Sequence, residues 1–471
     1  MNTEEPPVDD APEEEVSEER ELTPDEIFQF RVTSLLSTFS LRQTEILRLV
    51  SFMDERAAEI DNAAARAREL VEDQLDDDLD EAGLERLITL LGDEINSDET
   101  DGLTGEERHE AFVQALTEVG DALPEGHYST YVDNVLRALQ APPSGNFLRS
   151  SLLVTLVGEL EMVVNQLART AVERVPQTIE ESGRTFTWAE ISAHESIADL
   201  RDSLVDRAIE DVFRGSLTDW MDFFVKKFKI DPIAIAGTFE AQEAVQRRHC
   251  VVHNAGTISQ MYLNKLESFK PKGEIGDSLD VDSSYIRDAA DTMFLVVFSL
   301  VWSLSMKLCR NEEDRDDVFG ALCNRTYFML QERRYDLLTR LGQAAPLEKL
   351  PDRLGLVMKV NVWLAHKQRG TFDSVRDEVV AFDTSARSRD FQLAKYALLD
   401  EFEDASRVAE SMLRDEELSR AHYLTWPLLA GVREHKRKTQ EASSVADDSD
   451  DALVSVSDAG QEGLAMSTPD L

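Results

Sequence analysis

The chain has 471 residues, 42% of them hydrophobic and 30% charged, with a formal net charge of −44. That length holds about two to four domains with full-sized cores, and the composition fits a soluble globular protein rather than a disordered or fibrous one. Scarce glycine and proline, with helical spacings throughout, predict an all-α fold.

The acidic residues are spread along the chain. All 13 lysines lie at or after Lys226, and arginine supplies the other 36 positive charges. A uniformly acidic, lysine-poor surface stays hydrated in concentrated salt, which points to a halophile's cytoplasm rather than to cation storage. Cys250, Cys309 and Cys323 lack CxxC spacing, so neither a disulfide framework nor a zinc ribbon is indicated. No basic-then-apolar leader pattern opens the sequence. The longest uncharged apolar run, residues 292–306, is fifteen residues long. It falls short of the roughly 20 that span a bilayer, so a buried core helix is expected there and no membrane partner.

Residues 1–22 carry clustered Glu and Asp with Pro and read as a disordered acidic tail. Thr23-Pro24-Asp25-Glu26 then combines a capping threonine, a proline at the first helical position and a glutamate at the box position. Residues 23–140 form a helical, coiled-coil-like region. Within it Ile46, Val50, Met53, Ala57, Ile60, Ala64, Ala67 and Val71 alternate steps of four and three. The seam is alanine-rich and predicts a bundle helix in preference to a dimerising coil. Loops are expected at 96–105 and 124–127, and Ala141-Pro142-Pro143-Ser144-Gly145 is the clearest linker.

Residues 146–309 predict a four-helix bundle. The expected segments are 147–172, a helix or pair over 197–228, a third leading through 239–253 and continuing to about 266, and the very apolar 285–308. Residues 318–435 suggest helix pairs of an α-solenoid, a candidate surface for a protein partner. The segment 393–405 resembles a tetratricopeptide turn, with Asp400 where that family usually has glycine. Residues 439–471, rich in Ser, Asp, Ala and Gly, read as a disordered tail.

The chemistry concentrates at Gln246-Arg247-Arg248-His249-Cys250-Val251-Val252-His253-Asn254-Ala255-Gly256. His249 and His253 are i, i+4 and share a helix face, the spacing of paired zinc ligands. A metal site needs at least one further ligand, and no acid occupies the position used by zinc proteases. A second possibility is a histidine satisfied inside a bundle, with surface arginines beside it.

A third comes from resemblance. Arg248-His249-x-x-x-His253, followed by Asn254, Gly256 and Tyr262-Leu263, resembles the Arg-polar-x(3)-His signature of the HEPN superfamily, and the bundle around it is similar to that family's fold. The likeness covers about a third of the chain. It implies metal-independent RNA cleavage by a homodimer, with the motifs of two protomers forming one site and no cofactor. It also implies a setting in defence or stress, and its alternative is a non-catalytic dimerisation or RNA-binding adaptor. His253 suits acid–base transfer near neutral pH. Arg248 suits a scissile phosphate as charge gathers on it. His249 fills the family's polar position and can orient the other groups. Residues 225–273 hold eight Lys or Arg against four Asp or Glu. Arg247, Asn254, Lys226, Lys227 and Lys229 are therefore the candidates for contacts with RNA.

Overall fold

The computed structural model describes residues 22–60, 144–180, 187–345 and 347–441, with a few isolated positions besides. The expected acidic tail, the seam positions Ala64, Ala67 and Val71, the two loops, most of the linker and the C-terminal tail beyond Glu441 lie outside them. Among the described residues there are eleven helices of ten or more residues. They contain no strand, only an isolated bridge between Thr257 and Ser278. The fold is all-α.

Helix α1, Pro24–Glu55, begins where the capping pattern places it. Glu26 N donates to Thr23 Oγ1 at 3.2 Å, and Thr23 N donates to Glu26 Oε2 at 2.7 Å. Its stripe Phe28, Val32, Leu36, Phe39, Ile46, Val50 and Met53 is buried, against α2 (Ser144–Arg174) and the later core helix rather than against a coiled-coil mate. The described seam residues Ile46, Val50 and Met53 therefore pack inside a bundle. α1 stops at Glu55, with Arg56 capping it. Ion pairs rivet α1 to α2 along its length: Arg31 with Glu173, Arg42 with Glu159 and Asp25 with Arg174.

The 197–228 region is a pair, α3 (Ile197–Phe213) and α4 (Leu217–Phe228). Ser216 caps α4, its N–H donating to Asp219 Oδ2 at 2.7 Å. α5, Phe239–His253, starts at the Thr238 cap and packs against α2 and α6. α6, Ser283–Leu308, forms the centre of the molecule. It is the one helix among the described residues long and apolar enough to cross a membrane. Of its most apolar 18-residue window, 78% is buried inside the protein. Large side chains from three helices, Phe39, Leu160 and Phe294, reach zero exposure. Truncating such a leucine to alanine costs about 2–5 kcal/mol through lost burial and the cavity left behind.

The C-terminal helices are α7 (Glu312–Gln331), α8 (Tyr335–Ala344), α9 (Asp352–Gln368), α10 (Arg389–Leu398) and α11 (Phe402–Arg414). A common turn punctuates them. Arg333, Gly370, Asp400 and Glu416 are left-handed, with φ of 59, 74, 62 and 57°. In each case the next N–H reaches five residues back at 2.9 Å: Arg334 to Met329 O, Thr371 to His366 O, Glu401 to Tyr396 O and Glu417 to Met412 O. Asp400 thus adopts the conformation glycine would take. Its carboxylate accepts from Lys367 Nζ at 2.6 Å, and that ammonium also meets the last-turn carbonyls of Ala397 and Leu398. The first of these helices, α7, packs on α1. One contiguous core runs from α1 to α11 without a seam between bundle and array.

Candidate functional site

Helix α5 carries the motif on its last two turns. The helix does not continue to residue 266 as expected. Asn254 caps it, and Ala255 and Gly256 turn left-handed at φ 50 and 75°. Gly256 N–H returns to Cys250 O at 3.1 Å. Ser259 then caps a separate short helix, Gln260–Lys265, which packs back on α5 through Cys250, Ile258, Tyr262 and Leu266. An Ala-Gly pair in that conformation ends a helix whatever the apolar spacing beyond it.

Arg247 and Arg248 are neighbours in sequence but about 100° apart around the helix, and they meet different surroundings. Arg247 turns inward. Its Nε donates to Glu243 Oε1 at 2.7 Å, its guanidinium reaches Asp280 O at 2.6 Å, and it lies over the Tyr285 ring at 4.0 Å. Glu243, only 3% exposed, also accepts from Tyr262 Oη at 2.9 Å and Tyr285 Oη at 2.5 Å. Burial works against the Arg247 charge, but Tyr285 and the Glu243 carboxylate outweigh it, so its pKa is raised. Burial first, and then Glu243, push both tyrosine pKa values upward. All three side chains are locked onto one buried carboxylate. Arg247 is held by the protein and not free to meet a substrate.

Arg248 faces α2, where its guanidinium lies 3.6 Å from Glu161 Oε2. Its Nε is buried with no hydrogen-bond partner. His249, next to it, is half-buried and touches His253, the ring centroids 4.5 Å apart and tilted by 50°. Burial, then the neighbouring His253 and Arg248, lower the His249 pKa and favour its neutral imidazole. His253 and Asn254 are exposed at the helix end. Arg248, His249 and His253 therefore form one chain of adjacent groups, with His249 in the middle. Neutral imidazole, exposed imidazole and guanidinium together can exchange a proton and stabilise an anion. Among the described residues no three His, Cys, Asp or Glu side chains gather as metal ligands.

The lysines expected beside the motif lie elsewhere. Lys226 pairs with Asp222 at 2.7 Å, and Lys227 donates to Thr178 O at 3.0 Å. Thr178 lies beyond the end of α2 at Arg174, thirteen residues past Glu161, a separation of about 20 Å along the helix. Lys229, left-handed at φ 56°, lines a cavity that none of the motif residues enters. Two acids escaped the sequence reading. Glu243 stands four residues before Arg247, the spacing at which opposite charges meet on a helix, and that signal was available. Glu161 is 87 residues from Arg248, and no local pattern joins them. Lys265, Lys270 and Lys272 follow the motif on the segment folded back against α5, where Phe269 packs on Phe239 at 5.8 Å.

The three cysteines are free and buried. Burial, with Asp25 and Asp314 nearby, pushes the Cys309 thiol up to about 12, and burial alone takes Cys323 to about 11. Neither is a nucleophile at neutral pH.

No family model matches the chain, and no curated protein or solved structure matches it either.

Proposed function

We propose that this protein is a HEPN-like, metal-independent endoribonuclease that works as a homodimer in the cytoplasm. The observation that carries the proposal is the C-terminal end of α5, where His249 touches the exposed His253 and feels the charge of Arg248, on a helix packed between two long bundle helices. In the proposed reaction an imidazole takes the proton of a ribose 2′-OH, and the freed oxygen attacks the adjacent phosphorus. The bond from phosphorus to the 5′-oxygen breaks, and an imidazolium protonates that oxygen as it leaves. The products are a 2′,3′-cyclic phosphate and a 5′-hydroxyl.

His253, exposed, takes the proton-transfer role, and His249, favoured neutral, orients it. Arg248 holds the phosphate as negative charge builds on its oxygens. Two motifs across a two-fold axis supply the base and the acid together. Defence or stress-triggered RNA cleavage is the setting this reading suggests, with the C-terminal helices as a surface for a protein partner.

A second reading is favoured by the contact of Arg248 with Glu161: the motif braces α5 on α2, and the protein is a dimeric RNA-binding adaptor. One experiment separates the two. A mixed RNA pool is incubated in EDTA at high salt with wild type, His253→Ala and Arg248→Ala. Cyclic-phosphate ends from wild type, lost in both folded variants, are the nuclease's signature. RNA that is bound but stays intact in both EDTA and magnesium overturns the nuclease.

A further inference from the structure

The loop after α4, the last turns of α6 and the end of α8 enclose a cavity of about 590 Å³. That lies within the range of roughly 300–1,000 Å³ typical of small-molecule sites. Its floor is aromatic, formed by Phe298 and Trp302 with ring centroids 6.2 Å apart. Its rim carries Lys229, Lys307 and Lys349 against a single acid, Asp231. In a chain with 93 acidic residues and 13 lysines, three ammonium groups around one opening is a strong local reversal of sign.

The pairing of these lysines sharpens the point. Most lysines elsewhere in the array are engaged, as Lys367 is with Asp400 and Lys436 with Glu410. Lys229 and Lys307 make no side-chain hydrogen bond or ion pair with a described residue. Lys349 has only Asp231, at the 4.0 Å limit and with that carboxylate 89% exposed. Lys229 owes its position to the left-handed cap of α4, which turns the chain sharply into the cavity wall. Unpaired ammonium groups above an aromatic floor attract a ligand that is anionic at one end and flat and apolar at the other. Two to three ammonium groups match a dianion better than a monoanion.

We propose that this cavity is a binding site for a small phosphate monoester with an apolar ring body. The site is separate from the α5 motif and does not depend on the ribonuclease reading. Its walls come from both the bundle and the C-terminal helices, so an occupant ties α6 to α8.

The test uses the full chain and 1-naphthyl phosphate as probe, followed by titration calorimetry in KCl at which the protein has its folded circular-dichroism spectrum. Saturable binding of one probe per chain is expected, with inorganic phosphate a much weaker competitor. Lys229→Gln and Lys307→Gln should each weaken binding by about fivefold, because each removes one charge-assisted contact. The double variant should lose about 25-fold if the two act independently. Neither lysine holds another part of the fold, so folding is expected to survive, and thermal melting checks it. Lys227→Gln, whose ammonium is engaged at Thr178, should bind as wild type does. Absence of saturable binding, or equal affinity in the folded double variant, overturns the site. Equal weakening by Lys227→Gln also overturns it, since general charge would then be the cause.

Discussion

Helix α5 has two faces that differ more than their sequence does. On the inner face Glu243, Arg247, Tyr262 and Tyr285 satisfy one another around a buried carboxylate. On the other side Arg248 faces α2 with one loose ionic contact at 3.6 Å, and His249 and His253 touch at the helix end. The inner set is a lock, because every strong donor is used. The outer set keeps donors and proton-transfer groups in reserve, as a reaction or a ligand requires. Adjacent arginines can therefore do opposite work, and the helical angle between them decides which does which.

Substitutions on the two faces should fail in different assays. On the outer face, His253→Ala and Arg248→Ala should each lower RNA cleavage by about 10²–10⁴-fold with melting temperature nearly unchanged. A large fall in melting temperature would make the outer face structural instead. On the inner face, Glu243→Ala leaves Arg247 buried without its partner and should cost about 3–5 kcal/mol. Urea unfolding measures this directly. Replacing Arg247 as well, with Glu243→Leu and Arg247→Met, should restore much of the loss, since a buried pair exchanged whole for apolar groups is often neutral. If the single and double variants are equally unstable, the carboxylate's bonds to the tyrosines carry the lock.

A pH series sharpens the contrast. The folded-state pKa of His249 lies below its ordinary value of 6.5, mainly through burial. Its neutral form is therefore favoured on folding, and its contribution to stability is present above pH 6.5. As pH falls through that value toward the folded pKa, the unfolded chain takes up the proton first and the contribution is lost. The melting temperature of wild type minus that of His249→Gln should shrink between pH 7.5 and 5. Carboxylates common to both proteins cancel in the difference. A constant difference would mean that neither burial nor its neighbours shift His249.

What the sequence made legible was local. The Thr23 cap, the core character of residues 292–306 and the helix pairs beyond 318 all follow from short-range spacing and capping. What escaped was the choice of partner. Periodicity identified Ile46, Val50 and Met53 as buried, but not that α1 spends them on α2 and α6, 84 or more positions beyond Ile60. The same limit applies to the site. The residues Arg248, His249 and His253 stood out as a pattern, while Glu161 entered only through the packing of α5 on α2. Closeness in sequence also misled: Lys227 precedes the motif by some twenty residues yet reaches Thr178, beyond the end of α2.

That last point leads to the smallest effect. Lys270 and Lys272 lie on the segment that folds back on α5, and neither makes a side-chain hydrogen bond or ion pair with a described residue. Beside them the Phe239–Phe269 pair offers a partly exposed aromatic surface on which a base can stack. If RNA runs along α5 from its Phe239 end, about 20 Å from His253 by the helix rise, to the motif, Lys270→Gln and Lys272→Gln should each weaken RNA binding about twofold to threefold. They should also make the salt dependence shallower, by about one unit of slope for each phosphate that is no longer neutralised. Lys227→Gln, whose ammonium is engaged at Thr178, should change neither quantity. Fluorescence anisotropy with a labelled single strand over a KCl series reads both. The reverse outcome would place the RNA along the C-terminal end of α4 instead. Arg248 would then be left where the structure already finds it useful, braced against Glu161.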